Sequence, residues 1–273
     1  MKKKILKILA FVLALCLLGG VCFVANGLVG NPVSAALAER GARAYLSENH
    51  ADENYEIVSN NYDFKIGGYY IKAAVAGSLD KHFVLYADFL GNISHTTYEN
   101  DVLLHGNTAD RLNGSYAELC DKVLLNSQFS FETDFSYGML EFVTDQSLSD
   151  PYIPSFALRQ EDFETDVLYD VYELGAKAGH LITFVRDENV SVERLAEILL
   201  EIRNAADRAG LPFFAIDCAL THPRPAEGDA YNNEQVQVDA FLYTDIYEEG
   251  LVGRVQTAYE TPQALPDKET PIQ

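Results

Sequence analysis

The apolar run at residues 8–25 (ILAFVLALCLLGGVCFVA) limits this chain more than any other feature. It holds no charge, and it lies directly behind four lysines, Lys2, Lys3, Lys4 and Lys7. Apolar character continues with interruptions through Leu28 and Val29. An 18-residue helix rises about 27 Å, close to the ~30 Å hydrocarbon core of a bilayer. The pattern therefore predicts a transmembrane helix, a signal anchor over residues 8–29, behind a basic stub at 1–7. A cleaved signal peptide would have an apolar region of about 7–15 residues followed promptly by a small-x-small site. Here the run is longer, and the nearest small-x-small options are Ala25-Asn26-Gly27 and the Val33-Ser34-Ala35 step, the second of which lies well past it, so length favours an uncleaved anchor, with cleavage as the alternative. Lipoprotein processing fits poorly, because Leu15 precedes Cys16 and Val21 precedes Cys22. The positive-inside bias places the N-terminus in the cytoplasm and the C-terminal body in the extracellular space, as a single-pass protein of the cell membrane.

Charge divides the chain the same way. There are 20 Lys+Arg against 41 Asp+Glu, a formal charge of −21. Four cations and no acids precede residue 30, so the remainder carries −25. Nucleic-acid binders neutralise phosphates with clustered Lys and Arg, and a body this acidic is repelled by them, which excludes nucleic acid as a partner. With 48% apolar and 11% aromatic residues, the body can bury a core instead of staying disordered, and its length predicts two domains.

The first domain is expected over 31–136. Asn31-Pro32 supplies an N-cap and a first-turn proline for a helix over 33–47, whose narrow stripe is Val33, Ala36, Leu37, Gly41, Ala44 and Tyr45. Strands over 55–66, 69–76 and 82–93 are separated by Gly67-Gly68 and by Gly77-Ser78-Leu79-Asp80, which predicts an antiparallel meander. A helix over 108–125 carries Leu112, Tyr116, Leu119, Cys120, Val123 and Leu124 at helical spacing, suited to lie on that sheet. The second domain, 137–258, reads as a strand near 137–143, an irregular stretch around Pro151 and Pro154, a helix over 163–176 and a strand over 180–186. A helix opened by Ser191 and stopped by Gly210 follows, then strands over 212–220 and 236–246. Strand, helix, strand in that order is a crossover that makes two strands parallel, and the last strand returns to give a mixed sheet. Residues 259–273 read as a flexible tail. The expected class is α+β: two small sheet-and-helix domains outside the membrane, preceded by one N-terminal transmembrane helix.

Three segments carry a resemblance: Gly30-Asn31-Pro32-Val33-Ser34, Tyr62-Asp63-Phe64-Lys65-Ile66-Gly67-Gly68-Tyr69, and Asp245-Ile246-Tyr247-Glu248-Glu249-Gly250-Leu251-Val252. Together they resemble the YfjL-like family, a group of single-span, surface-exposed proteins of Gram-positive bacteria. The third turn departs from it, with Ala76-Gly77-Ser78-Leu79-Asp80 where a Ser-Pro element is expected. The resemblance implies a two-domain topology and no activity.

Catalytic motifs are missing from the sequence: no Gly-x-Ser-x-Gly elbow, no phosphate loop, no paired zinc histidines. The six histidines (His50, His82, His95, His105, His180, His222) are scattered. Cys120 and Cys218 fall on apolar faces and read as buried reduced thiols, with a disulfide between the domains as the alternative. Glu161, Asp162, Glu164 and Asp166 read as charge around a helix start. Glu227, Asp229, Asn232, Asn233 and Glu234 read as a polar hairpin loop matching no calcium-loop spacing. If that loop folds symmetrically about Gly228, Asp217 and Asp239 oppose each other, and facing like charges require a different register, screening, or a cation or basic group between them. Sixteen tyrosines without tryptophan fit strand propensity better than a glycan surface.

These features predict a non-catalytic, acidic extracytoplasmic interaction or accessory module without catalytic, cofactor-binding or metal-ligating residues. Its expected partners are the membrane lipid bilayer, through residues 8–29, and another membrane or envelope protein. The alternatives are an extracytoplasmic enzyme acting on cell-envelope material, which would bring two or more of His180, His222, Asp217 and Asp239 within hydrogen-bonding reach in a pocket, and a cation-responsive sensor subunit.

Overall fold

A computed structural model describes residues 2–125, 127–225 and 232–261. The chain divides into two compact units, Met1–Asn107 and Thr108–Gln273.

The first unit opens with α1 (Lys2–Val29) and α2 (Pro32–Asn49). Asn31 caps α2 as expected, its Oδ1 accepting from the Ser34 N–H at 2.9 Å. The Tyr69 hydroxyl donates to the Asn31 carbonyl at 3.0 Å and fixes this start. The expected transmembrane helix is corrected: among the described residues, no helix is long and apolar enough to cross a membrane.

Four strands follow: β1 (Tyr55–Asp63), β2 (Gly68–Val75), β3 (His82–Ala87) and β4 (Ile93–Thr96), paired antiparallel in chain order. The meander is as expected, but the segment 82–93 is broken. Asp88 Oδ1 accepts from the Leu90 and Asn92 N–H groups at 2.8 and 2.9 Å, and Gly91 takes φ +89, so the chain turns and a fourth strand begins. Beyond β4, the acids of Glu53 and Asp101 accept from the hydroxyls of Tyr98 and Thr97. The core packs Ala38, Ala42 and Leu46 of α2 on Tyr69, Ile71, Phe83 and Leu85. The buried row of α2 is thus Ser34, Ala38, Ala42 and Leu46, while Val33 is exposed. Two glycines set this rotation, because α2 meets the β3–β4 turn backbone to backbone. A Cβ on Gly41 would stand 1.8 Å from the Gly91 carbonyl oxygen, and one on Gly91 would stand 2.3 Å from that of Leu37.

The second unit contains α3 (Gly106–Leu124) from Thr108 onward, β5 (Glu132–Leu140), β6 (Phe142–Val143), β7 (Leu158–Arg159), α4 (Val171–Ala178), β8 (Gly179–Arg186), α5 (Val192–Ala209), β9 (Ala215–Thr221), β10 (Gln235–Leu242) and α6 (Leu251–Glu260). Its main sheet has the order β10-β9-β8-β5. β8 and β9 are parallel across the α5 crossover, and the outer pairs are antiparallel. That is the mixed sheet read from the sequence, and α5 has its Ser191 cap and its Gly210 stop at φ +66. Other expectations shift. α3 packs its Leu112, Tyr116, Cys120 and Leu124 into the core of this unit and not onto the meander, because Gly138, Gly175 and Gly179 leave room for Cys120 and Tyr116. The helix expected over 163–176 starts only at Val171, where Asp170 caps it by accepting from the Tyr172 N–H at 2.9 Å. The strand expected to 246 stops at Leu242, and a further helix, α6, follows it. The tail expected over 259–273 lies outside the described residues from 262 onward.

Candidate functional site

Strand alternation sorts the second sheet into two faces. Leu181 and Val185 of β8, with Ile216, Cys218 and Leu220 of β9, point into the helix-covered core. His180 and Asp217 therefore fall on the other face, as does Tyr137 of β5, and Glu141 follows directly where β5 ends. The strand register brings three of these groups together. His180 is 5% exposed, with Nδ1 2.6 Å from Glu141 Oε1 and Nε2 2.8 Å from Asp217 Oδ1. The Phe156 ring stands edge-on to the imidazole, centroids 5.7 Å apart, and also packs on Phe214.

The protonation state follows from these contacts. Burial alone would pull the His180 pKa down, but hydrogen bonds and charge from Asp217 and Glu141 override it and push it up to about 9. Both ring nitrogens face carboxylates, an arrangement that favours the protonated imidazole. Burial, followed by the negative charge of Asp217 and Glu141, holds the Tyr137 phenol above its usual range.

β10 completes the arrangement. Val238 pairs with Cys218, as symmetry about Gly228 predicts, but Phe241 pairs with Ile216, one residue out of that register. Between them Asp239 and Ala240 oppose Asp217 alone, a bulge with Ala240 at φ +46. The bulge turns the Ala240 N–H onto Asp217 Oδ1 at 2.6 Å, and Asp239 accepts from the Gln237 amide. The like-charge problem posed by Asp217 and Asp239 is met by an internal cation, His180, together with a register irregularity. Glu141 carried no sequence signal: it lies at a strand end, 39 residues from its partner.

The remaining candidates stand apart. His222 pairs with Glu234 at 3.1 Å across the β9–β10 connection. Cys120 and Cys218 are free, buried and both in the second unit, so a disulfide between the units is overturned. Burial raises both thiols to about 12, which keeps them protonated. Of the four acids expected around a helix start, Glu161 instead accepts from the Asp145 N–H at 2.8 Å, ahead of α4. Glu227 and Asp229 lie outside the described residues. Among the described residues, no group of three or more His, Cys, Asp or Glu is placed to hold a metal ion.

A general base needs a free nitrogen lone pair, and a Ser-His-Asp relay needs one imidazole nitrogen turned to a nucleophile. Both His180 nitrogens are taken by acids, and the nearest thiol in sequence, Cys218, is on the opposite face. The network ties β8, β9, β10 and the end of β5 together.

Residues 2–100 match the YfjL-like N-terminal domain, and residues 118–256 match the YfjL-like C-terminal domain. The chain belongs to the YfjL-like family. The boundary between the two matched regions falls around α3, near the division of the compact units at Asn107 and Thr108. Among curated proteins and among solved structures, nothing matches this YfjL-like chain.

Proposed function

We propose that this YfjL-like protein is a non-catalytic accessory module, held at the extracytoplasmic side of a membrane by its apolar N-terminal segment and acting by binding another envelope protein. The observation that carries the reading is α1. Phe11, Leu13, Leu17, Leu18, Val21 and Val29 are each more than half exposed, and so many exposed apolar side chains on one helix need an apolar surrounding. Lys4 and Lys7 flank them, suited to anionic lipid headgroups. A basic start followed by an apolar stretch is also the pattern that export machinery takes outward. The acidic body keeps the exported part soluble. His180, used as a structural tie, supports a binding role over acid–base chemistry.

Fractionation of cells expressing the full chain and a chain lacking residues 2–29 tests this. The full chain is expected in the membrane fraction, degraded by protease added to intact cells, and the truncated chain in the soluble fraction. Equal partition of the two chains, or protection of the full chain from external protease, would overturn the reading.

A further inference from the structure

We propose that the groove between β10 and α6 binds an extended polypeptide segment carrying basic residues, which adds alongside β10. The proposal rests on the binding role above and deepens it by naming the partner's chemistry. Among the described residues, β10 is the outer strand of its sheet, paired with β9. An outer strand presents a row of main-chain groups to any extended chain laid beside it. α6 stands off from that edge and leaves a cleft of about 640 Å³, lined by Asp239, Phe241 and Leu242 on one side and Gly253, Thr257 and Ala258 on the other. This volume lies in the range of natural binding clefts. Phe241, Leu242 and Ala258 give the groove apolar surface on which side chains of an added strand can pack, beside the polar groups of Asp239, Thr257 and Thr261.

Charge selects the occupant. The groove carries two carboxylates, Asp239 on the strand and Asp245 just past its end, and one cation, Arg254. That cation is already engaged. Arg254 donates to the carbonyls of Asp245, Glu249 and Tyr247 at 2.8, 2.6 and 2.6 Å, and its guanidinium lies over the Tyr247 ring at 3.5 Å. From residue 137 onward the chain holds 9 cations against 26 acids, so an approaching basic segment is attracted and an acidic one repelled. The bulge at Asp239 and Ala240 aims the Ala240 N–H inward to Asp217, which leaves Phe241 and Leu242 as the stretch for main-chain pairing.

The test uses the full chain and a blocked heptapeptide of alternating valine and threonine with a lysine at each end, read by hydrogen exchange. The lysine peptide is expected to slow exchange at residues 239–242, saturably, with at least tenfold weaker binding for the same peptide ended in glutamate. A Cβ at Gly253 meets nothing within 4 Å, so Gly253→Leu leaves the fold intact while filling the groove, and it should abolish the protection. The pair Asp239→Asn and Asp245→Asn should remove the preference for lysine. Any of four results overturns the proposal: no protection at 239–242, equal binding of both peptides, binding unaffected by Gly253→Leu, or protection without peptide that grows with protein concentration. Peptide binding only after removal of residues 262–273 would likewise overturn it, assigning the groove to the chain's own C-terminal segment. None of these results bears on the membrane fractionation.

Discussion

Replacing Gly41 by alanine tests the packing of the first unit at its tightest point. In an exposed helix interior alanine is favoured over glycine by about 1 kcal/mol, so propensity alone predicts stabilisation. The structure predicts the reverse. The new Cβ would stand 1.8 Å from the Gly91 carbonyl oxygen, and that neighbour is main chain in a turn at φ +89. Alanine at 41 must therefore push α2 and the β3–β4 turn apart, opening the contact of Ala38 and Ala42 with the sheet. Overpacking of this kind costs roughly 1–3 kcal/mol, and backbone meeting backbone places this case near the upper end, a net loss of about 2 kcal/mol after propensity. Urea unfolding followed by far-UV circular dichroism, with hydrogen exchange in β3 and β4 to localise the effect, should show the midpoint falling by about 1 M for a slope near 2 kcal/mol/M. Gly114→Ala is the control, since a Cβ there meets nothing within 4 Å, and it should gain up to about 1 kcal/mol. If Gly41→Ala stabilises like Gly114→Ala, the two backbones do not meet and the reasoning fails.

Two further outcomes follow from the second unit. The His180 pKa is raised from 6.5 to about 9, so its contribution is fully present below pH 6.5, falls between 6.5 and 9, and is gone above. At ~1.4 kcal/mol per pKa unit it amounts to roughly 3 kcal/mol, and unfolding measured from pH 6 to 10 should show that decline in the native chain and not in His180→Gln. Cys120 and Cys218, buried and held protonated, should resist iodoacetamide in the native state and react only on unfolding; modification of either in folded protein would contradict their placement.

The legibility of the fold varied with the kind of signal. Local signals held: the Asn31 cap, the Ser191 to Gly210 helix, the meander and the parallel crossover each depend on a few neighbouring residues. The face of a helix was less secure. The small residues of α2 were visible, but which row is buried depends on Gly91, fifty residues away from Gly41. The stripe of α3 was read correctly while its sheet was not, because Gly138, Gly175 and Gly179 leave the space that draws Tyr116 and Cys120 into the second unit. The candidate site was half visible. Asp217 and Asp239 came from register, and His180 was only one of six scattered histidines. Glu141 and the bulge at Ala240 are products of tertiary placement that no spacing encodes. The apolar run at 8–25 has the sequence pattern of a membrane crossing, whereas among the described residues no helix is long and apolar enough to cross a membrane.

The non-catalytic reading stands on His180 being a charged tie between Glu141 and Asp217 and not an acid–base group. Nitrogen-15 NMR of the labelled imidazole measures this directly. At pH 7 both His180 nitrogens should show the shifts of a protonated imidazolium, titrating near pH 9. A neutral ring at pH 7 with one unprotonated nitrogen, titrating at or below 6.5, would put a lone pair in the site and contradict the account.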